Sequence, residues 1–366
     1  FVPIRHLSYH VLQWGTPSPD KTPLVMVHGW MDVAASFQFV IDALKDDHWV
    51  IAPDWRGFGA RSGTGRIHVG FVGGLPEAAV QNVFIAAAFF LQSYFVLSAD
   101  VNVAVEWVDL SSVPNLLGEG GPSTMCPHPD SGAYPFVLIP AALYVQLTGA
   151  DNCPGMIGSI HVHVQLNSQP NVPWYFGVDG QPPVNRIDLV TVVMHELLHG
   201  LGFLSGVAGA GAQYPFAPYG YVFDWYVFYS NNVTGWPSTF AGAVSDPCIA
   251  NPLLLSNGAL SFRGVVGNAS IESFTLYSPT MFAPGSSVSH VAPVAGSSAN
   301  RLMQPSIQQG HAWHDIGANV WEAMASMGYD MVDSSYLLPY DGAELAQLEV
   351  SVSSEAKCLS WFILSS

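Results

Sequence analysis

The chain has 366 residues, of which 49% are hydrophobic and 10% are charged, and this composition excludes a disordered protein or a coiled coil. Ten lysines and arginines stand against 27 aspartates and glutamates, giving a formal net charge of −17. Because nucleic acids and anionic membranes attract clustered positive charge, neither is expected as a partner. The length suffices for two ordinary domains, or for one large domain with a fragment attached.

The first 62 residues predict two strands with a helix between them. Residues 24–27 predict a short buried strand that runs into His28-Gly29-Trp30, residues 36–45 have helical periodicity, and residues 48–54 predict the second strand. This order resembles the opening of the α/β-hydrolase family, and the resemblance implies an oxyanion-hole role for the backbone at Gly29 and Trp30. The chain contains no G-x-S-x-G nucleophile elbow. We therefore interpret residues 1–62 as an α/β-hydrolase-like fragment without catalytic competence.

The most apolar run of the chain covers residues 78–97 and follows a glycine-rich linker predicted at residues 59–65. Polar residues interrupt the run and no lysine or arginine flanks it, so a buried helix is expected rather than a membrane span. Residues 101–108 predict a strand, residues 140–147 a helix and residues 160–164 another strand. His161 and His163 in the last strand could bind a metal, but hydrogen-bonded or exposed histidines on an edge strand are the more common arrangement.

Residues 192–203 carry the spacing H-E-x-x-H inside an apolar run. On a helix, His195 and His199 project from one face and can bind one Zn²⁺, while Glu196 can reach a water on the metal. Asp188 is the expected N-cap of this helix, and Gly202 stands where the helix must end. A buried helix with two hydrogen-bonded histidines is the alternative, but it would bury an acidic residue without a partner.

A catalytic zinc requires a third protein ligand. In the short metzincin pattern this ligand lies three residues beyond the glycine of the motif, and here that residue is Ser205. The third ligand must therefore come from farther downstream, where His290, His311 and His314 are the candidates.

The H-E-x-x-H-G-L-G-F motif, a downstream Ser289-His290 and a Leu302-Met303-Gln304-Pro305 segment together resemble the leishmanolysin-type metzincins and related secreted bacterial proteins. The resemblance extends over roughly residues 74–330. It implies an α+β fold of the zincin type, with His290 as the third zinc ligand and Met303, 13 residues later, in a turn beneath the metal. It also implies that His195 and His199 are the other ligands and that Glu196 is the general base. His311 and His314 follow the methionine and are expected in structural or cleft-wall positions.

The resemblance implies a secreted zinc endopeptidase that hydrolyses peptide bonds in proteins or peptides through a metal-activated water. One alternative is an esterase or dehalogenase-like hydrolase that uses the N-terminal segment. A second alternative is an inactive metal-containing binding or adhesion protein. The oligomeric state is not predicted.

Export is expected from several features, although no signal peptide opens this chain. Cys126 and Cys153 could form a disulfide in a secreted protein, with free buried thiols as the alternative. Sequons at Asn232 and Asn268 fit a glycoprotein. The predicted organisation is a fragment at residues 1–62, a protease domain at residues 63–334 and a tail at residues 335–366.

Overall fold

The fold is of the α+β class. The computed structural model describes residues 65–150, 158–206, 220–229, 260–266, 274–293 and 301–332, short stretches between them, and parts of residues 2–53. The described α-helices are α1 (Ala78–Gln92), α2 (Ala141–Thr148), α3 (Leu189–Gly200) and α4 (Gly317–Met327). A 3₁₀ helix covers Val222–Tyr226.

The N-terminal strands form two small sheets. They are β1 (Val2–Ile4), β2 (Leu7–Tyr9), β3 (Val11–Trp14), β4 (Thr22–Val25) and β5 (His48–Pro53). β5 lies between β3 and β4, so the two strands predicted around residues 24 and 48 are confirmed with shifted bounds. The first is not buried as expected, since Val25 on the edge strand β4 is 60% exposed. Gly29, Trp30, most of the predicted helix and most of the predicted linker lie outside the described residues.

The main sheet has the strand order β6, β7, β11, β8. Its strands are β6 (Ile67–Phe71), β7 (Val101–Val108), β8 (Gly118–Pro122) and β11 (Val162–Asn167). The first three in this order run parallel, and β8 pairs antiparallel with β11 at the edge. The predicted strand near residue 160 therefore begins at Val162 and is an interior strand, not the edge strand expected. Strand order depends on long-range pairing, which a local alternating pattern does not contain.

Helices α1 and α3 pack together against one face of this sheet. On α1, Phe84 is fully buried and meets the Phe71 ring of β6 edge to face at 5.5 Å. On α3, Gly200 packs so closely on Val162 of β11 that an added Cβ would lie 2.1 Å from its side chain. The prediction that the apolar run forms a buried helix is confirmed. Among the described residues, no helix has the length and hydropathy required to cross a membrane.

The remaining strands in the described part of the chain are short, with two to four residues each. They are β9 (Met125–Pro127), β10 (Val137–Pro140), β12 (Trp174–Tyr175), β13 (Ile187–Asp188), β14 (Gly220–Tyr221), β15 (Val227–Tyr229), β16 (Leu260–Phe262), β17 (Val265–Val266), β18 (Ala269–Ser270) and β19 (Phe274–Thr275). A disulfide joins Cys126 of β9 to Cys153, so the bridge rather than a pair of free thiols is present.

The C-terminal end of the described chain closes the core. The phenol of Tyr329, just after α4, donates to the carbonyl of Leu201 at 2.7 Å. The backbone N–H of Val332 donates to the carbonyl of Tyr94, directly after α1. Residues far apart in sequence therefore complete one hydrophobic core. Helix α3 is part of this core, and packing against the other helices and the sheet holds it in place.

Candidate metal centre

Helix α3 begins and ends where the sequence predicts. The Asp188 carboxylate accepts from the backbone N–H of Thr191 at 2.8 Å and from its hydroxyl at 2.7 Å, which makes Asp188 the N-cap. The helix ends at Gly200, and Gly202 follows with φ of +114°. A Cβ on Gly202 would also lie 2.8 Å from Pro140, so the turn requires glycine for two reasons.

Three imidazoles converge at one point. The Nε2 atoms of His195 and His199 are 3.0 Å apart, and those of His195 and His290 are 3.1 Å apart. The His199 and His290 Nε2 atoms are separated by 3.2 Å. Zinc–nitrogen bonds of about 2.0–2.1 Å in tetrahedral geometry place ligand nitrogens roughly 3.3 Å apart. The three histidines therefore lie close enough to hold a metal ion.

The opposite nitrogen of each ring determines which atom faces the centre. Each Nδ1 donates to a backbone carbonyl: His195 to Leu302 at 2.7 Å, His199 to Phe203 at 2.7 Å and His290 to Ser286 at 2.8 Å. With the proton on Nδ1, each Nε2 presents a lone pair. Three lone pairs that point at each other repel, and a cation between them removes this repulsion. The hydrogen bonds therefore favour a metal site over a network of mutually bonded histidines.

Burial keeps these rings in the neutral form that binds metals. Desolvation lowers the pKa of His195 to about 4. For His290, desolvation and then the neighbouring His195 lower the pKa to about 3. The pKa of His199 is also lowered well below its ordinary value, first by burial and then by the two neighbouring rings.

A loop brings His290 to the helix. The His290 carbonyl accepts from the Tyr277 N–H at 2.7 Å, and the preceding Ser289 hydroxyl accepts from the Ser205 N–H at 3.1 Å. Ser205 occupies the position where the short metzincin pattern has its third ligand. Here its backbone ties the segment after α3 to the loop that carries His290.

The Leu302-Met303 turn contacts both halves of the centre. The Leu302 carbonyl accepts from His195, while the Met303 carbonyl accepts from the Val291 N–H at 2.7 Å. Met303 is fully buried. This single turn therefore links the helix to the residue that follows His290. The placement of the Met303 side chain beneath a metal stays a prediction.

Glu196 lies against the edge strand β8. Its side chain is buried. Desolvation and, to a smaller extent, the charge of Glu119 raise the pKa of Glu196 to about 8. A hydrogen bond from the Gly120 backbone opposes this shift. A Cβ on Gly120 would lie 2.3 Å from the Glu196 carbonyl oxygen. No motif in the sequence singles out Glu119 or Gly120. Glycines at 118, 120 and 121 within one strand were the available signal, because strand glycines often mark the close approach of another backbone.

Asp224 is a third residue that the sequence did not reveal. It is fully buried and accepts from the Ser205 hydroxyl at 2.6 Å and from the Gly206 N–H at 2.9 Å. Its neighbour Phe223 is buried against the Phe203 ring, with centroids 4.9 Å apart. The aromatic stretch at residues 221–226 thus supports the segment after α3, and part of it is core.

The other histidines considered as ligands, His161, His163, His311 and His314, lie outside the cluster. His314 is buried, bonds Asp188 through Nε2 at 2.8 Å and stacks on Phe90, whereas His311 is exposed. His161 accepts from the Asn102 N–H at 3.0 Å through Nδ1, as a hydrogen-bonded core histidine would. Within the described part of the chain, the group formed by His195, His199 and His290 is the one set of three suited to a metal ion.

Comparison with known proteins adds one partial match. A family model described as SPBPB7E8-like matches residues 97–217, less than half of the chain. That range contains α3 with His195 and His199 but not His290. No curated protein and no solved structure matches the chain. We therefore infer a function from the geometry of the site.

Proposed function

We propose that this chain is a zinc-dependent endopeptidase with a metzincin-like, leishmanolysin-type site. The observation that carries the proposal is the convergence of three Nε2 lone pairs beside Glu196, which follows His195 directly on α3. A set of three histidines with an adjacent carboxylate is the arrangement that hydrolytic zinc sites use. We assign His195, His199 and His290 as ligands.

The ligand chemistry favours zinc. Imidazole nitrogens suit zinc, copper, iron and nickel, and three of them with one open position form the usual catalytic zinc site. When bound, Zn²⁺ would activate a water and polarise the carbonyl of the scissile bond.

The protein residues supply orientation and proton transfer. The carbonyls of Leu302, Phe203 and Ser286 fix the three rings with Nε2 facing inward. The charge of a bound zinc ion would lower the pKa of Glu196 and favour its ionised form. The ionised carboxylate then takes the proton of the attacking water and later delivers it to the leaving amine. The hydrogen bond from the Gly120 backbone helps to orient this carboxylate. The substrate is a protein or peptide.

We also propose that the protein is exported. The Cys126–Cys153 disulfide supports this location, because such bonds persist in oxidising compartments and are rare in the cytosol. Both sequon asparagines, Asn232 and Asn268, lie outside the described residues, so glycosylation stays a prediction.

The decisive variant is Glu196→Gln. We expect it to bind zinc as the parent does, because all three ligands remain, and to lose proteolysis because it lacks the base. Zinc content per chain is measured by mass spectrometry of the metal, and proteolysis by release of peptides from casein. Glu77→Gln, an exposed glutamate at the start of α1, is the matched control and should cleave at the parent rate.

The proposal fails if Glu196→Gln cleaves casein at the parent rate. A parent protein that holds zinc but cleaves nothing would instead support the binding or adhesion protein. Ester hydrolysis that persists in 1,10-phenanthroline would support the N-terminal hydrolase alternative.

A further inference from the structure

The face of the main sheet opposite α3, the outer face, carries a pocket. Gly118 and Gly120 face α3, because a Cβ on either would approach Glu196. Since side chains alternate along a strand, Glu119 and Gly121 point to the other face. The strand register places Glu119 beside Gln165, and Gly121 beside His163.

Together with Gly120, these residues line an open pocket of about 320 Å³: Glu119, Gly120, Gly121, His163 and Gln165. A Cβ added at Gly121 would meet no atom within 4 Å, so the space beside its backbone is open. His163, which could have been a metal ligand on sequence grounds, therefore belongs to this pocket and not to the metal centre.

The lining suits a cation that donates hydrogen bonds. Glu119 contributes a carboxylate. The amide nitrogen of Gln165 donates a hydrogen bond to the Glu106 carboxylate at 2.7 Å. The amide oxygen is therefore the group that Gln165 offers to a ligand. The register also puts Glu106 in the same cross-strand row as Gln165 and Glu119. Two carboxylates and an amide oxygen along one row favour a lysine or arginine side chain over an acidic or apolar one.

The pocket lies on β8, the same strand that contacts Glu196 from its other face. The backbone N–H of Ser123 donates to the His161 carbonyl, and the N–H of Asn167 donates to the Leu117 carbonyl. These two bonds show which residues of β8 direct their backbone groups towards β11 and which direct them away from it. Since the direction alternates along the strand, Gly118 and Gly120 direct their backbone groups to the opposite edge of β8, which pairs with none of the described strands. A peptide that extends along this edge places every second side chain on the outer face, beside Glu119 and Gly121.

We propose that the outer-face pocket is a substrate subsite for a lysine or arginine side chain near the cleaved bond. This inference rests on the proposed function, because it names the peptides that the metal centre cleaves. Glu119 sets the charge preference, and Gly121 provides the space for the long side chain.

The test compares two sets of fluorescein-labelled ten-residue peptides made of alanine and serine. One set carries a single lysine at each position in turn, and the other carries norleucine, which has similar length without the charge. The kcat/KM ratio of lysine to norleucine peptides is measured for the parent, Glu119→Gln, Gly121→Leu and the control Glu77→Gln. Binding of both sets to zinc-loaded Glu196→Gln, with and without Glu119→Gln, is measured by fluorescence anisotropy.

For lysine at one or two positions, we expect a preference of roughly tenfold, the effect of one charge-assisted hydrogen bond. Glu119→Gln and Gly121→Leu should abolish it, and Glu77→Gln should keep it. Because Glu119 also acts on the charge of Glu196, its loss can change all rates, but that effect cancels in the ratio of the two peptides.

Cleavage without lysine preference, or a preference that survives in Glu119→Gln, overturns this inference and leaves the proposed function standing. Absence of cleavage together with Glu119-dependent lysine binding overturns the proposed function, and with it the role as a substrate subsite, and leaves the pocket as a binding site for lysine side chains. Absence of both cleavage and lysine-dependent binding overturns both.

Discussion

The two halves of the metal centre depend on the sequence over very different distances. His195 and His199 lie four residues apart on α3, so helix geometry alone places them on one face. His290 lies 91 residues beyond His199 and reaches the same point through a loop. One half is thus a property of a short segment, and the other half is a property of the whole fold.

Different contacts maintain each half. The helix half is held at its start by Asp188, which also bonds His314. The loop half is held by Ser205 and by the Leu302-Met303 turn. We therefore expect changes around the helix to reduce folding stability first, and changes around the loop to reduce metal affinity first.

The largest effect is expected from removal of a ligand. His199→Ala and His290→Ala should each weaken zinc binding by roughly a hundredfold or more, because the binding energy of about 10–16 kcal/mol in four-ligand zinc-finger sites corresponds to roughly 3 kcal/mol per ligand. Affinity is measured by competition with a chromogenic chelator. His311→Ala, which removes an exposed imidazole outside the cluster, is the control and should bind as the parent does. Parent-like affinity in His290→Ala would show that the loop half is not part of the site.

The next effect concerns the start of the helix. Asp188→Ala should lower the unfolding free energy by about 2–4 kcal/mol, because it removes the N-cap and an acceptor of buried His314. Asp188→Asn keeps an acceptor for Thr191 and should lose less. Urea unfolding in the presence of a chelator measures this difference without a contribution from zinc. An equal loss in both variants would contradict the capping role.

The smallest effect is expected in the loop half. Ser289→Ala removes the acceptor of the Ser205 N–H and should weaken zinc binding by about tenfold, as changes in residues that support ligands typically do. Its unfolding free energy should fall by only about 1 kcal/mol. Ser326→Ala removes another buried hydroxyl, on α4, and should leave zinc affinity unchanged. If both variants bind zinc equally well, Ser289 does not position His290.

Features with local causes were predictable from the sequence. The bounds of α3, the Asp188 cap and the turn at Gly202 follow from residue types within about a dozen positions. His290 was identified through a resemblance between motifs, and no local pattern singles it out from His311 or His314. The interior position of β11 and the approach of Gly120 to Glu196 could not be predicted, because they depend on which strands pair. Asp224 also escaped prediction, since a single buried acid in an aromatic segment has no characteristic spacing.

The hydrogen bonds at the end of the described chain bear on how the protein is synthesised. Tyr329 bonds Leu201, and Val332 bonds Tyr94, so partners for residues near 94 and 201 leave the ribosome more than a hundred residues later. Until then, the apolar surfaces of α1 and α3 are not yet covered by the residues that pack on them in the folded protein. Folds dominated by such distant contacts form slowly and expose aggregation-prone surface on the way. We expect the nascent chain to need protection by chaperones until residue 332 has emerged.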